Sequence, residues 1–220
     1  MANTATSPKA ARDTEDRTRD RSRTEDAILR AARRVLIESG FAGWGVNALA
    51  RAAGCDKQLI YRYFGGLDGL AEALGTEVAH DLEAALSEVR APPVTSYAGL
   101  VAAMLEALLQ VLRSHPVMQR IIAAELSEAS SLTAPFAEAR GRALGAWVAK
   151  IKGDFAPPHG VDAPAINAVL IAAVQQMVLS SASVGGFAGM PLAEAEDWER
   201  LRRTLRRLVV SAYADPCAPD

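Results

Sequence analysis

The sequence predicts an all-α protein of about nine helices, with a small three-helix head followed by a larger helical body. Three observations predict it. Apolar residues recur at helical spacing along most of the 220 residues, glycine and proline fall between the periodic stretches, and sustained strand alternation is missing. Half of the residues are hydrophobic, enough for a sizeable helical core.

Residues 1–21 carry mixed charges and few apolar groups, and are expected to form a disordered tail. Ser22-Arg23-Thr24-Glu25 matches a capping box, in which hydroxyl and carboxylate satisfy the free amides of a helix start. Ala27, Ile28, Ala31, Ala32, Val35 and Leu36 then mark one face of the first helix, and Gly40 ends it. Phe41 is placed to pack under the next two helices.

The segment from Val46 to Phe64 reads as two short helices joined at Gly54, where the chain must bend. Ala50 is small enough to let the helices approach, Ile60 points to the core, and Asp56 is a strong N-cap for the second helix. Lys57, Gln58, Tyr61, Arg62 and Tyr63 remain on that helix as a surface suited to phosphates and base edges. This is a helix-turn-helix, and it points to DNA.

Beyond Gly65-Gly66 a long helix is expected from about Leu67 to Arg90, with Leu70, Leu74, Val78, Leu82 and Leu86 on one face and Pro92-Pro93 as its stop. Further helices are expected at Ser96–Ser114, Pro116–Glu128, Ala134–Lys152, Ala163–Val184 and Glu194–Tyr213. No repeat of 20–50 residues is present. The domain reading is a tail at 1–21, a helix-turn-helix domain at 22–66 and a helical domain at 67–214.

The formal net charge of -2 conceals an asymmetry: residues 1–66 hold 12 Lys/Arg against 8 Asp/Glu, whereas the rest is acidic. A basic head on an acidic body suits a polyanion at one end, although solvated surface varies this much by chance. Cys55 and Cys217 make no disulfide framework, and the cytoplasm is the expected compartment. The polar N-terminus is not a secretory signal, and no 18-residue apolar run free of breakers calls for a membrane. His80, His115 and His159 lack ligand spacing, so no metal is expected. No nucleophile elbow, zinc-protease, phosphate-loop or dinucleotide motif supports an enzyme or a cofactor.

Ile28-Leu29-x-Ala31-Ala32, Gly40-Phe41, Val46-x-x-Leu49-Ala50-x-x-Ala53-Gly54, Leu59-Ile60-Tyr61-x-Tyr63-Phe64 and Leu70 together resemble the TetR family of bacterial transcription regulators. The resemblance spans Thr24 to Leu70. It implies a DNA-binding head, a helical domain enclosing a small-molecule pocket, and a homodimer paired through the last two helices. The implied function is a repressor that a small-molecule effector releases from double-stranded operator DNA. The competing reading is a helical protein-interaction module that has lost operator binding.

Carried over residue by residue, the resemblance implies DNA contacts at Gly45, Asn47, Lys57, Gln58, Tyr61, Arg62 and Tyr63. Lys57 can donate to a guanine edge or bind a phosphate, Gln58 can pair with adenine, and the Tyr61 hydroxyl would meet the backbone. The Tyr61 ring would pack against the first helix, and Phe64 belongs to the core. Trp44 and Gly45 stand where relatives usually carry threonine, and Leu67 where they tend to carry lysine, so some backbone anchors are missing. Trp44 would pack on the head or lie against a DNA sugar. The Asp56 charge also faces the phosphates. The tail arginines Arg12, Arg17, Arg19, Arg21 and Arg23 either reach DNA or stay solvated.

The implied dimer interface takes Val169, Ala173, Gln176 and Ser180 with Trp198, Leu201, Leu205 and Leu208, the small residues permitting close approach; an intramolecular core is the alternative. The arginines of the last helix would pair with Glu194 or Glu199, or across the interface. Candidates for the effector pocket are Met104, Leu108, Met118, Ile122, Trp147, Gln175 and Met177, with Phe136, His115 and Gln176 nearby in the pattern. Each apolar one among them serves equally well as plain core.

Overall fold

The computed structural model describes residues 8–89, 94–127 and 130–214, with side chains from residue 19 onward. Helix α1 (Pro8–Ser39) is 32 residues long, so the expected start at Ser22 is corrected: the helix is already running there. Residues 8–21 are helical rather than disordered. The sequence feature that favours helix here is a charge spacing that the low apolar content conceals. Asp13/Arg17, Glu15/Arg19 and Arg21/Glu25 stand four apart, and the Arg21–Glu25 pair closes at 2.7 Å. Thr24 donates its hydroxyl to the Asp20 carbonyl inside the helix, at 2.9 Å, and caps nothing. Residues 1–7 of the expected tail lie outside the described residues.

Ile28, Ala31, Ala32 and Leu36 form the buried stripe of α1. Gly40 comes next with φ 61°, closing the helix through its N–H to the Leu36 carbonyl. A single 3-10 turn, Phe41–Gly43, leads into α2 (Val46–Ala53) and α3 (Lys57–Phe64). Gly54 makes the bend between them at φ 67°, ψ 33°, where a side chain would be strained. Leu49, Ala50 and Ile60 are buried where α2, α3 and α1 meet.

The long helix α4 (Leu67–Glu88) buries Leu70, Leu74, Val78, Leu82 and Leu86, the predicted stripe. It ends at Val89 in extended conformation; Pro92 and Pro93 lie outside the described residues. Helices α5 (Tyr97–Ser114), α6 (Pro116–Ser127), α7 (Ala134–Ile151), α8 (Ala163–Val184) and α9 (Ala195–Ala212) complete the body. Ser96 and Asp162 cap α5 and α8 through their side-chain oxygens, and Glu194 with Asp197 forms a capping box at α9. The expected boundaries of α5 to α9 hold within one or two residues, the predicted ends at Arg90 and Glu128 falling outside the described residues.

The sequence pattern misses one element. Gly186–Phe187 and Met190–Pro191 form a two-residue antiparallel ribbon, β1 and β2, between α8 and α9. Strands this short leave no alternation to read. The ribbon delivers Leu192 into the core, where its carbonyl accepts from Ser181 at 2.9 Å.

One buried cluster runs continuously from Ile28 in the head to Tyr213 at the end of α9. The head is joined to the body through it: the Phe41 ring stands 5.8 Å from Phe136 on α7, edge to face. By length and hydropathy alone, α5 and α8 would both pass as membrane spans. The α5 window is half buried in this core, whereas only 22% of the α8 window is buried. Helix α8 therefore leaves much of its apolar length uncovered by its own chain.

Candidate nucleic-acid interface and cavity

Helix α3 is short, and its eight residues divide cleanly. Ile60 is fully buried, Leu59, Tyr63 and Phe64 pack partly against the core, and Lys57, Gln58, Tyr61 and Arg62 are exposed. Lys57/Tyr61 and Gln58/Arg62 are each four apart, so they form two adjacent rows on the outer face. The Asp56 carboxylate accepts from the Gln58 N–H at 2.8 Å and fixes the start of the helix. Tyr61 is 55% exposed. Its ring lies beside Gly66, whose ideal Cβ position would be 3.8 Å away.

Asn47 is exposed in the first turn of α2, and Gly45 is its N-cap with no side-chain bond. Trp44 is buried and stacks on Phe41 at 5.5 Å, so it packs on the head and is not presented to a DNA sugar. Arg34 donates to the Ala52 carbonyl at 2.7 Å, satisfying the C-terminal end of α2.

One relationship here was not readable from spacing. The guanidinium carbons of Arg21 and Arg62 lie 5.4 and 5.8 Å from the Tyr63 ring centre. The helical continuation of α1 thus reaches the C-terminal end of α3. Glu25 neutralises Arg21 and raises its pKa by hydrogen bonding. Arg62 pairs with no carboxylate among the described residues.

In the body, the pocket candidates separate. Met104, Leu108, Trp147 and Gln175 line one cavity of about 110 Å³ between α5, α7 and α8. Met118, Ile122 and Met177 do not line it. Met118 and Ile122 are buried in the core and Met177 packs against it, and Phe136 is likewise a core residue. The pattern missed Val101 and Leu105 on α5, Leu144 and Val148 on α7, and Asn167 and Ile171 on α8. Their signal was the repeat at i, i+3 and i+4 on three helices, which becomes a cavity only when the three faces converge. His115 sits apart, its ring 2.8 Å from the Val111 carbonyl at the end of α5.

The polar groups around the cavity are mostly committed. The Trp147 indole N–H donates to the Leu86 carbonyl at 3.1 Å, in the last turn of α4. Asn167 donates to the Tyr97 hydroxyl at 3.2 Å and accepts from the Tyr213 hydroxyl at 2.7 Å. Burial raises the pKa of the Tyr213 phenol, with the neighbouring Tyr97 adding to the shift. No cluster of His, Cys, Asp or Glu with metal-site geometry occurs among the described residues.

The interface candidates divide as well. Trp198, Leu201 and Leu205 are buried inside their own chain, which corrects their assignment to a subunit interface. Arg113 of α5 stacks 4.0 Å over the Trp198 ring, and α9 lays this stripe on α5. Ser180 is also buried, accepting from Gln176 at 2.8 Å. Val169, at 68% exposure, and Leu208, at 51%, do face outward, with Gln176 exposed and Ala173 half-buried. The α9 arginines pair mainly with α5: Arg202 and Arg206 reach Glu106 at 2.8 and 3.6 Å, and Arg202 also meets Glu199 at 3.4 Å.

Residues 28–74 match the sequence profile of the family described as bacterial regulatory proteins, tetR family. The N-terminal module is a tetR-family module. Solved structures extend the likeness over the body. The transcriptional regulator FadR from Bacillus subtilis, in complex with stearoyl-CoA, is 17% identical, with 84% of this chain and 97% of that one covered at a TM-score of 0.59. FadR from Bacillus halodurans, a fatty acid degradation regulator, is also 17% identical, covering 87% and 97% at 0.60. A TetR-family transcriptional regulator from Rhodococcus sp. is 18% identical, covering 87% and 100% at 0.60. At such identities these structures establish the fold. No curated protein sequence matches the chain significantly. The matched profile is that of bacterial regulatory proteins, and the fold is shared with these solved regulators.

Proposed function

We propose that the protein is a cytoplasmic homodimeric repressor, released from its operator when a small molecule enters the cavity between α5, α7 and α8. Residues 22–66, extended by the earlier part of α1, would serve as the DNA-binding domain, and residues 67–214 as the effector-binding and dimerisation domain. The observation that carries this reading is the division of α3. Ile60 anchors the helix with no exposure at all, while Lys57, Gln58, Tyr61 and Arg62 stand free on the opposite side. A rigid short helix with a polar outer face fits the major groove. Gly45 and Asn47 beside it, and the half-buried Tyr63 at its end, would add backbone contacts.

Dimerisation is supported by the uncovered apolar length of α8, with Val169 and Ala173, and by Leu208 and Val210 on the outer side of α9. A two-fold pair would present two α3 helices to successive major grooves. The effector would act through α4. Trp147 hydrogen-bonds the C-terminal turn of α4, and Arg33 ties the middle of α4 to α1 of the head. A ligand that favours one position of α4 shifts the population of head orientations.

Selecting bound duplexes from a pool of genomic fragments tests the reading. The expected result is enrichment of a two-fold symmetric site with half-sites about one helical turn apart. A chain that retains random and genomic duplex equally would sink it.

A further inference from the structure

The cavity between α5, α7 and α8 specifies more than the presence of an effector, provided that it is the effector site proposed above. We infer that it takes a small, uncharged, single-ring aromatic molecule bearing one hydrogen-bonding substituent. Size sets the first limit. At about 110 Å³ the cavity is smaller than the roughly 150 Å³ dry cavity that holds benzene in an engineered protein, so it takes at most one ring, and that only as its wall gives way. Met104, an unbranched thioether at the wall, can yield the remaining space and favours contact with an aromatic edge.

Charge sets the second limit. Among the described residues, no Lys, Arg, His, Asp or Glu lines the cavity. An ionised ligand would lose its hydration and find no counter-charge, so the neutral form is selected.

Hydrogen bonding sets the third. Trp147 has its indole N–H engaged by the Leu86 carbonyl, leaving only its ring face for a ligand. Asn167 is held at both ends of its amide by the hydroxyls of Tyr97 and Tyr213. Gln175, among the lining side chains, forms no hydrogen bond to another described residue. One open amide in an otherwise apolar wall matches one polar substituent on the ring.

The test uses the full-length chain and isothermal titration with phenol, benzene, benzoate and stearoyl-CoA, the ligand of the Bacillus subtilis FadR complex. Phenol should bind saturably at one site per chain, with benzene about tenfold weaker for want of the Gln175 bond. Benzoate and stearoyl-CoA should not compete with phenol. Leu108→Phe, which fills the cavity, should abolish phenol binding. Should that variant misfold, Gln175→Leu supplies the second measurement: phenol should weaken to the level of benzene while benzene is unchanged. Benzoate binding as tightly as phenol, no saturable phenol binding, or an unaltered phenol-to-benzene ratio in Gln175→Leu would each overturn the inference. Phenol that binds as expected but leaves operator affinity unchanged would overturn the repressor reading and leave the ligand class standing.

Discussion

Arg33 of α1 holds Asp81 of α4 at 2.6 Å, and the same guanidinium nitrogen meets Glu77 at 2.8 Å. The three side chains are partly exposed, so the pairing adds modestly to stability, but it joins the head to the helix that carries it. The Arg33 Nε is buried without a partner, a cost already accepted to keep this connection.

Replacing Arg33 by Ala should therefore lower stability by only about 1 kcal/mol in urea unfolding. Its larger effect should fall on coupling: the ratio of operator affinities with and without effector should shrink toward one. A variant that keeps the full ratio would show that α4 moves the head without Arg33.

The cap at α3 separates two roles of one carboxylate. Asp56→Asn keeps an acceptor for the Gln58 N–H and removes a negative charge near the proposed DNA face. Thermal unfolding should change little, while affinity for random duplex should rise a few-fold. Asp56→Ala should instead cost about 1 kcal/mol of stability through loss of the cap. Equal stability of the Asn and Ala variants would show that the 2.8 Å bond contributes nothing.

Lys57 and Gln58 should fail differently. If Lys57 meets a phosphate, Lys57→Ala weakens binding to all duplexes alike and reduces the salt slope of log K by about one. Gln58→Ala should relax preference at one base pair, by about 1–3 kcal/mol, with the salt slope intact. Anisotropy titrations at several salt concentrations on operator and point-mutated operator measure both. Circular dichroism should remain unchanged, because both side chains are exposed.

Tyr213 predicts a pH effect with a defined sign. Its folded pKa lies above the ordinary tyrosine value of 10.0, because burial disfavours the phenolate. The stabilising effect is complete below the unfolded pKa and is lost as pH rises through the folded one. Absorbance titration should show one tyrosine ionising late, absent in Tyr213→Phe, and that variant should lose less stability than the wild type on the alkaline side.

The head was largely legible in the sequence because its determinants are local. Gly54 needs a left-handed bend, Asp56 needs the amide of Gln58, and Ile60 needs three consecutive helices around it. The helix boundaries of the body came from glycine, proline and apolar spacing for the same reason. The start of α1 was not legible from hydropathy: residues 8–21 carry charges four apart in place of an apolar stripe. The last helix was misdirected for a different reason. Trp198, Leu201 and Leu205 make an apolar stripe that fits a partner subunit or the chain's own α5 equally well, and periodicity does not say which surface meets it.

By itself the sequence determined an all-α chain with a helix-turn-helix head and named the exposed face of α3 apart from the half-buried Tyr63, since these depend on neighbours a few residues away. Only the tertiary structure decided which apolar stripes are covered inside the chain and which, on α8, are left open. It also decided that Val101, Leu105 and Ile171 share a cavity with Trp147, and that Arg21 reaches Tyr63. Those relationships join residues dozens of positions apart, and their distances are set by how whole helices pack rather than by spacing along any one of them.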